Sequence, residues 1–232
     1  MGLFNSIRLG ASSAGDYEVE RSLRFNDGDD ANLSRTPSSA GNTRTWTFSA
    51  WLKLGQLGTI RNIFSRGTTA ALPWFFSYLN SDNTLQIYFI NSGGTSYLST
   101  SNKLFRDNSA WYHFVIRLDT TQSTSTDRLR VYVNNELITW SSYQAPSQNF
   151  ESEINTTALH NIGRHGGGNP FDGYMAEINH VDGLSLDPSS FAETDAITGQ
   201  WNPKKYVGSY GTNGFYLNFS DNSGTTATTL GK

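Results

Sequence analysis

From Leu23 onward, apolar and polar side chains alternate with a period of two, the repeat of a strand that has one face in oil and one in water. The alternation is clearest where Trp46, Phe48, Ala50, Leu52 and Leu54 interleave with Thr45, Thr47, Ser49, Trp51 and Lys53. It returns at Tyr112, Phe114, Ile116 and Leu118, opposed by Trp111, His113 and Arg117. Val115 is the apolar exception, which predicts a second sheet over part of that face. Leu129, Val131 and Val133 lead into Asn134-Asn135 and then Glu136-Leu137-Ile138. Asn tolerates left-handed backbone angles, so this reads as a tight hairpin. Further strands are predicted over Phe75 to Leu79, Leu85 to Ile90, Tyr174 to Val181 and Phe215 to Phe219. Between them stand Ser81-Asp82-Asn83, Ser92-Gly93-Gly94 and Gly166-Gly167-Gly168-Asn169-Pro170, all turn or loop chemistry. Only Asp187-Pro188-Ser189-Ser190-Phe191, with an Asp cap and Pro at the first helical position, predicts one or two helical turns. No βαβ rhythm is present, so the predicted class is all-β: an antiparallel two-sheet sandwich with at most one or two short helical turns.

A chain of 232 residues suits one sandwich domain. Residues 1–21 mix Gly, Ser and Ala with scattered charge and read as an N-terminal arm; residues 22–220 form the domain; the Ser, Thr, Gly and Ala of 221–232 resemble a linker. Met1-Gly2-Leu3-Phe4-Asn5-Ser6 lacks the features of a signal peptide but fits the short myristoylation pattern, with no polybasic patch to reinforce an anchor. Charged residues are 16% of the chain, below the usual level of about 25%, so Ser, Thr, Asn and Gly must cover the exposed faces. A net charge of −3 offers no basic stripe for a phosphate backbone, so nucleic acid is not expected as a partner. The absence of cysteine excludes disulfides and thiolate metal sites. No apolar run is long enough for a membrane span.

In chain order stand TWTFSAWLK from Thr45, NIFSRG from Asn62, WYHFVIRLD from Trp111, LRVYVNNE from Leu129, NIGR from Asn161 and FDGYMAEI from Phe171. Together, over about Leu23 to Phe219, they resemble the concanavalin-A-like, laminin-G-like jelly roll. The opening GASSAGDYEVERSLRFN from Gly10 is further similar to proteins of tailed, especially marine, bacteriophages described as tail-fibre or virion structural proteins. The cysteines of many animal laminin-G modules and of pentraxins are missing. The resemblance implies a non-catalytic virion protein at the phage particle surface or tail. Such a protein would contact other virion proteins through its arm, form a homo-oligomer within the particle and use its domain for host glycan or receptor binding or for assembly contacts. A head-decoration protein and a free carbohydrate-binding module are the competing readings.

Relatives that hydrolyse glycosides need two carboxylates facing one sugar bond. Here only Glu18 with Glu20 and Glu151 with Glu153 have same-face spacing, outside convincing core strands, and they read as surface charge. No Gly-x-Ser-x-Gly elbow occurs, and the Gly166–Gly168 run lacks the residues of a phosphate loop. His113, His160, His165 and His180 have no zinc spacing. No cofactor is expected except calcium, which jelly-roll relatives hold through loop oxygens. Asp27, Asp29 and Asp30 offer such oxygens, although an acidic turn explains them equally. Sugar binding needs a flat aromatic beside polar side chains, and the candidates for glycan or partner binding are Trp74, Tyr97, Trp140, Tyr143, His165 and Asn169.

Overall fold

The computed structural model describes residues 17–68 and 71–220; the first sixteen residues of the expected arm and the expected linker lie outside the described residues. Strands β1 (Leu23–Phe25), β2 (Leu33–Arg35), β3 (Thr45–Leu54), β4 (Arg61–Thr68) and β5 (Ala71–Leu79) come first. They are followed by β6 (Thr84–Ile90), β7 (Ser96–Leu104), β8 (Trp111–Asp119), β9 (Leu129–Val133), β10 (Glu136–Leu137) and β11 (Trp140–Ser142). The chain closes with β12 (His160–Ile162), β13 (Gly173–Asp182), β14 (Ala192–Thr194), β15 (Trp201–Pro203) and β16 (Phe215–Leu217).

Two seven-stranded antiparallel sheets result. Sheet A runs β1-β13-β3-β8-β9-β10, with β16 also on β13, and sheet B runs β11-β7-β6-β5-β4-β12-β2. The inward residues of β3 and β8 meet those of β4, β5 and β6 in one core that holds Trp46, Phe48, Phe64, Phe75, Phe89 and Phe114. Phe48 stacks on Phe64 at 4.6 Å, and Trp46 meets Phe75 edge to face at 5.3 Å. Burying each such ring contributes about 1.5–3 kcal/mol. Trp46 keeps its one polar atom satisfied by donating to Ser152 Oγ at 2.8 Å.

The Asn134-Asn135 turn has φ of 51° and 69°, and pairs Glu136 with Val133. Both central residues are left-handed, as a two-residue hairpin loop requires. The predicted turn after Asp187 is a 3₁₀ helix over Pro188–Ser190. A four-residue α-helix, Ser125–Arg128, was not legible from the sequence. Among the described residues no helix is long and apolar enough to cross a membrane.

The face of sheet A turned away from the core is covered, though not by a second sheet of comparable size. The segment from Leu184 to Tyr210, with the two-stranded β14–β15 pair, lies across it. Val115 and Val181 pack there under Phe191, Tyr206 and Tyr210, while Trp51 packs against Ala192 and Trp201. Tyr17 joins the same face through hydrogen bonds with Glu177 and Tyr216. Glu177 sits at the irregularity of β13 with φ 50°, and its carboxylate also accepts from the Tyr216 hydroxyl at 2.6 Å. Burial pushes its pKa up despite these two donors.

Candidate functional site

With the outer face of sheet A occupied, the outer face of sheet B is the broad surface that the described residues leave for a ligand. Phe75, Leu79, Ile87 and Phe89 point into the core, so the period of two sends Trp74, Phe76 and Tyr78 of β5 and Gln86, Tyr88 and Ile90 of β6 outward. The register sets Phe76 opposite Tyr88 and Ser65, and Tyr78 opposite Gln86 and Asn62. Trp74 lies 5.6 Å from Phe76, and Phe76 lies 6.5 Å from Tyr88. These rings form a continuous aromatic row on the sheet, in which Trp74 and Tyr88 are half-buried and Phe76, between them, is covered.

The loop after β12 builds a polar wall beside that row. The imidazole of His165 sits 4.9 Å from Phe76. Asn169, at φ 51°, turns its carbonyl to accept from both the backbone N–H and Nδ2 of Asn62, at 3.1 and 3.3 Å. Ser65 Oγ donates to the Arg164 carbonyl at 2.7 Å, tying the loop to β4. Asn169 Nδ2 lies 3.2 Å from His165 Nε2. With Nε2 accepting, the imidazole proton is on Nδ1. Burial, with help from the Arg164 charge, holds the His165 pKa below its ordinary value, so the ring is neutral near pH 7.

Around this loop three buried polar atoms have no protein partner: His165 Nδ1, Asn62 Oδ1 and Arg164 Nε. Native interiors leave few such atoms, and each costs about 1–3 kcal/mol unless water or a ligand fills it. All three atoms are closed to solvent; what the surface offers a sugar ring is the half-buried Trp74 and Tyr88 for its apolar C–H face, beside the half-buried Arg164 and exposed Asn169 for the hydroxyls at its rim.

Of the residues singled out in the sequence, Trp74, His165 and Asn169 are brought together here. Tyr97 is placed elsewhere, edge to face with Phe150 at 5.1 Å. Trp140 and Tyr143 lie 5.8 Å apart and pack on the core, with the Tyr143 hydroxyl donating to the Ser125 carbonyl at 3.0 Å. Phe76, Tyr88 and Asn62 were missed: alternation alone does not say which phase of a strand faces solvent, and the run Trp74-Phe75-Phe76 looks apolar on both.

The acidic turn does not gather its carboxylates. Asp29 accepts from Asn26 Nδ2 at 2.6 Å, Asp30 pairs with Arg164 at 3.2 Å, and the buried Arg61 lies within electrostatic reach of Asp27. Among the described residues no group of three or more His, Asp or Glu could hold a metal ion, so Asp27, Asp29 and Asp30 form no calcium cage. Cationic side chains meet the acidic turn instead.

Of the two carboxylate pairs, one is engaged in ion pairs and one is exposed. Glu151 meets Arg44 at 2.5 Å and Glu153 meets Arg66 at 3.5 Å, while Glu18 and Glu20 are exposed. Of the other histidines, His113 is fully engaged within the fold. His113 Nδ1 accepts from Trp201 Nε1 at 3.0 Å, Nε2 meets Ser49 Oγ at 2.9 Å, and the ring stacks on Trp51 at 4.9 Å.

Two facing antiparallel sheets with one open face define a lectin-like jelly roll. The chain belongs to the concanavalin A-like lectin/glucanases superfamily, whose family model matches residues 26–184. No curated protein matches the chain in sequence. Among solved structures, a heptameric SAP-like pentraxin from Limulus polyphemus is similar at TM-score 0.51 and 15% identity, over 85% of this chain and 90% of that one. Mouse laminin α1 domains LG4-5 are similar at TM-score 0.50 and 9% identity, over 86% and 47%. Tailspike protein 2 of an Escherichia coli O157:H7 bacteriophage is similar at TM-score 0.51 and 13% identity, over 73% of this chain and 23% of that one. At these identities the likeness is one of fold.

Proposed function

We propose that this chain is a non-catalytic bacteriophage virion protein, a tail-fibre or other surface-exposed component, whose outer sheet B face binds a host surface glycan. The observation that supports the binding is the placing of the half-buried Trp74 and Tyr88 rings, bridged by Phe76, beside the loop that carries Arg164, His165 and the exposed Asn169. A non-catalytic role is supported by the ion pairs that occupy Glu151 and Glu153, and by the outward residues of β5 and β6, of which none among the described residues is a carboxylate. The phage setting is supported by the resemblance of the segment from Gly10. In that setting the arm joins neighbouring virion proteins and leaves sheet B facing outward.

A glycan array probed with the whole chain, followed by reducing-end assays on the glycans retained, tests this reading. Binding is expected without release of reducing ends. Trp74→Ala and His165→Ala are each expected to weaken binding at least tenfold, about 1.4 kcal/mol, while Tyr143→Phe leaves it unchanged. Absence of binding to any bacterial surface glycan, or cleavage of a bound one, contradicts it.

A further inference from the structure

We propose that the cleft at the unclosed edge of the sandwich is a second site, for a small flat apolar molecule that carries a carboxylate. It lies between the sheets rather than on the outer face of sheet B, and is independent of glycan binding. The edge strands β2 and β16 are three residues each, and the sheets part there around a cavity of about 260 Å³.

The chemistry of the walls selects the ligand. Leu33 and Leu217 face the cavity from opposite sheets, and Phe64 and Phe215 add ring surfaces, with the His180 imidazole 5.4 and 5.5 Å from them. An apolar cavity of about 150 Å³ holds benzene, so this one accommodates a fused two-ring body. Its lining is not wholly apolar. His180 is 2% exposed and has one nitrogen, Nδ1, without a hydrogen-bond partner. Buried polar atoms in that condition mark a place that water or a ligand completes.

Arg35 supplies the charge selectivity. It is exposed at the rim, its guanidinium 6.0 Å from the Phe215 ring centre and bonded through Nη1 to the Asn213 carbonyl at 2.9 Å. Among the described residues it forms no ion pair. A carboxylate projecting from a ring seated in the cleft meets that guanidinium.

Titration of the intact chain with 2-naphthoate, and with 2-naphthol as its uncharged counterpart, tests the site by calorimetry. Saturable one-to-one binding of naphthoate is expected. Leu217→Trp, which fills the cleft from its edge strand, is expected to weaken both probes at least tenfold; Leu33→Trp does the same from the facing wall and serves if the first variant melts early. Arg35→Gln is expected to weaken naphthoate about tenfold and leave naphthol unchanged. Failure to saturate, binding indifferent to both cleft-filling variants, or equal losses of the two probes in Arg35→Gln would overturn the proposal.

Discussion

Acidification is expected to unfold this domain between about pH 5 and pH 3, with uptake of protons by three histidines. His113 and His180 are buried with pKa values lowered by desolvation to about 3, and His160 is held at about 4 for the same reason. Hydrogen bonding reinforces the neutral rings. His160 Nε2 accepts from the Asn155 N–H at 3.2 Å while its Nδ1 donates to the Ala158 carbonyl at 2.8 Å, and His180 Nε2 donates to Asn155 Oδ1 at 2.7 Å. Asn155 in turn donates to Asp182 at 3.0 Å, so these contacts tie β12 and β13 to the loop that precedes β12.

The unfolded chain binds these three protons near pH 6.5, whereas the folded chain refuses them. Stability is therefore full above pH 6.5 and falls as the pH drops, by about 1.4 kcal/mol per proton per pH unit, or about 4 for three. By pH 3 the three histidines have withdrawn about 13 kcal/mol, which exceeds most of the typical domain range of about 5–15 kcal/mol. Glu177 has the opposite sign. Its raised pKa means that protonation in the folded state offsets part of the loss. Circular dichroism against pH, with proton uptake measured in parallel, checks this; a native spectrum retained at pH 3 rules it out.

Gly173→Ala is expected to cost more than about 4 kcal/mol, which places it among the exceptional single substitutions. Gly173 opens β13 at φ 142°, paired with Leu54 of β3 and Phe25 of β1. A Cβ there would lie 2.1 Å from the Lys53 carbonyl oxygen, which belongs to the sheet and has no flexible side chain to retreat. The damage spreads to Asp172, whose carboxylate accepts from the Gln56 N–H at 2.8 Å and pairs with Arg24 at 2.8 Å. Gly58→Ala is the control: its φ of 81° is strained for alanine, but nothing lies within 4 Å of the new Cβ, so the loss is about 1–2 kcal/mol. Thermal unfolding of the two variants separates clash from backbone strain. Equal melting temperatures would refute the argument.

Much of the sandwich was legible because alternation records which side chains share a face. Trp46, Phe48, Ala50 and Leu52 are all fully buried, as their period requires. What covers a second face is not a local property. Val115 and Trp51 were visible as apolar residues on the polar side, yet nothing near them shows that Phe191, Ala192 and Trp201 arrive to cover them. The same gap explains the site. Trp140 and Tyr143 stand in polar surroundings along the chain and are drawn into the core by contacts distant in sequence, whereas Phe76 in an apolar run is left on the outer face beside His165. Loop aromatics and strand aromatics exchanged roles because the open face is defined by an absence of cover.

The indole N–H signals of the six tryptophans, followed by NMR as a bound glycan is titrated in, test the central claim most directly. Binding on the outer face of sheet B shifts the Trp74 signal and leaves those of Trp51, Trp111 and Trp201, on the covered side of sheet A, in place. Shifts confined to those three or to Trp140, with Trp74 unmoved, would contradict it.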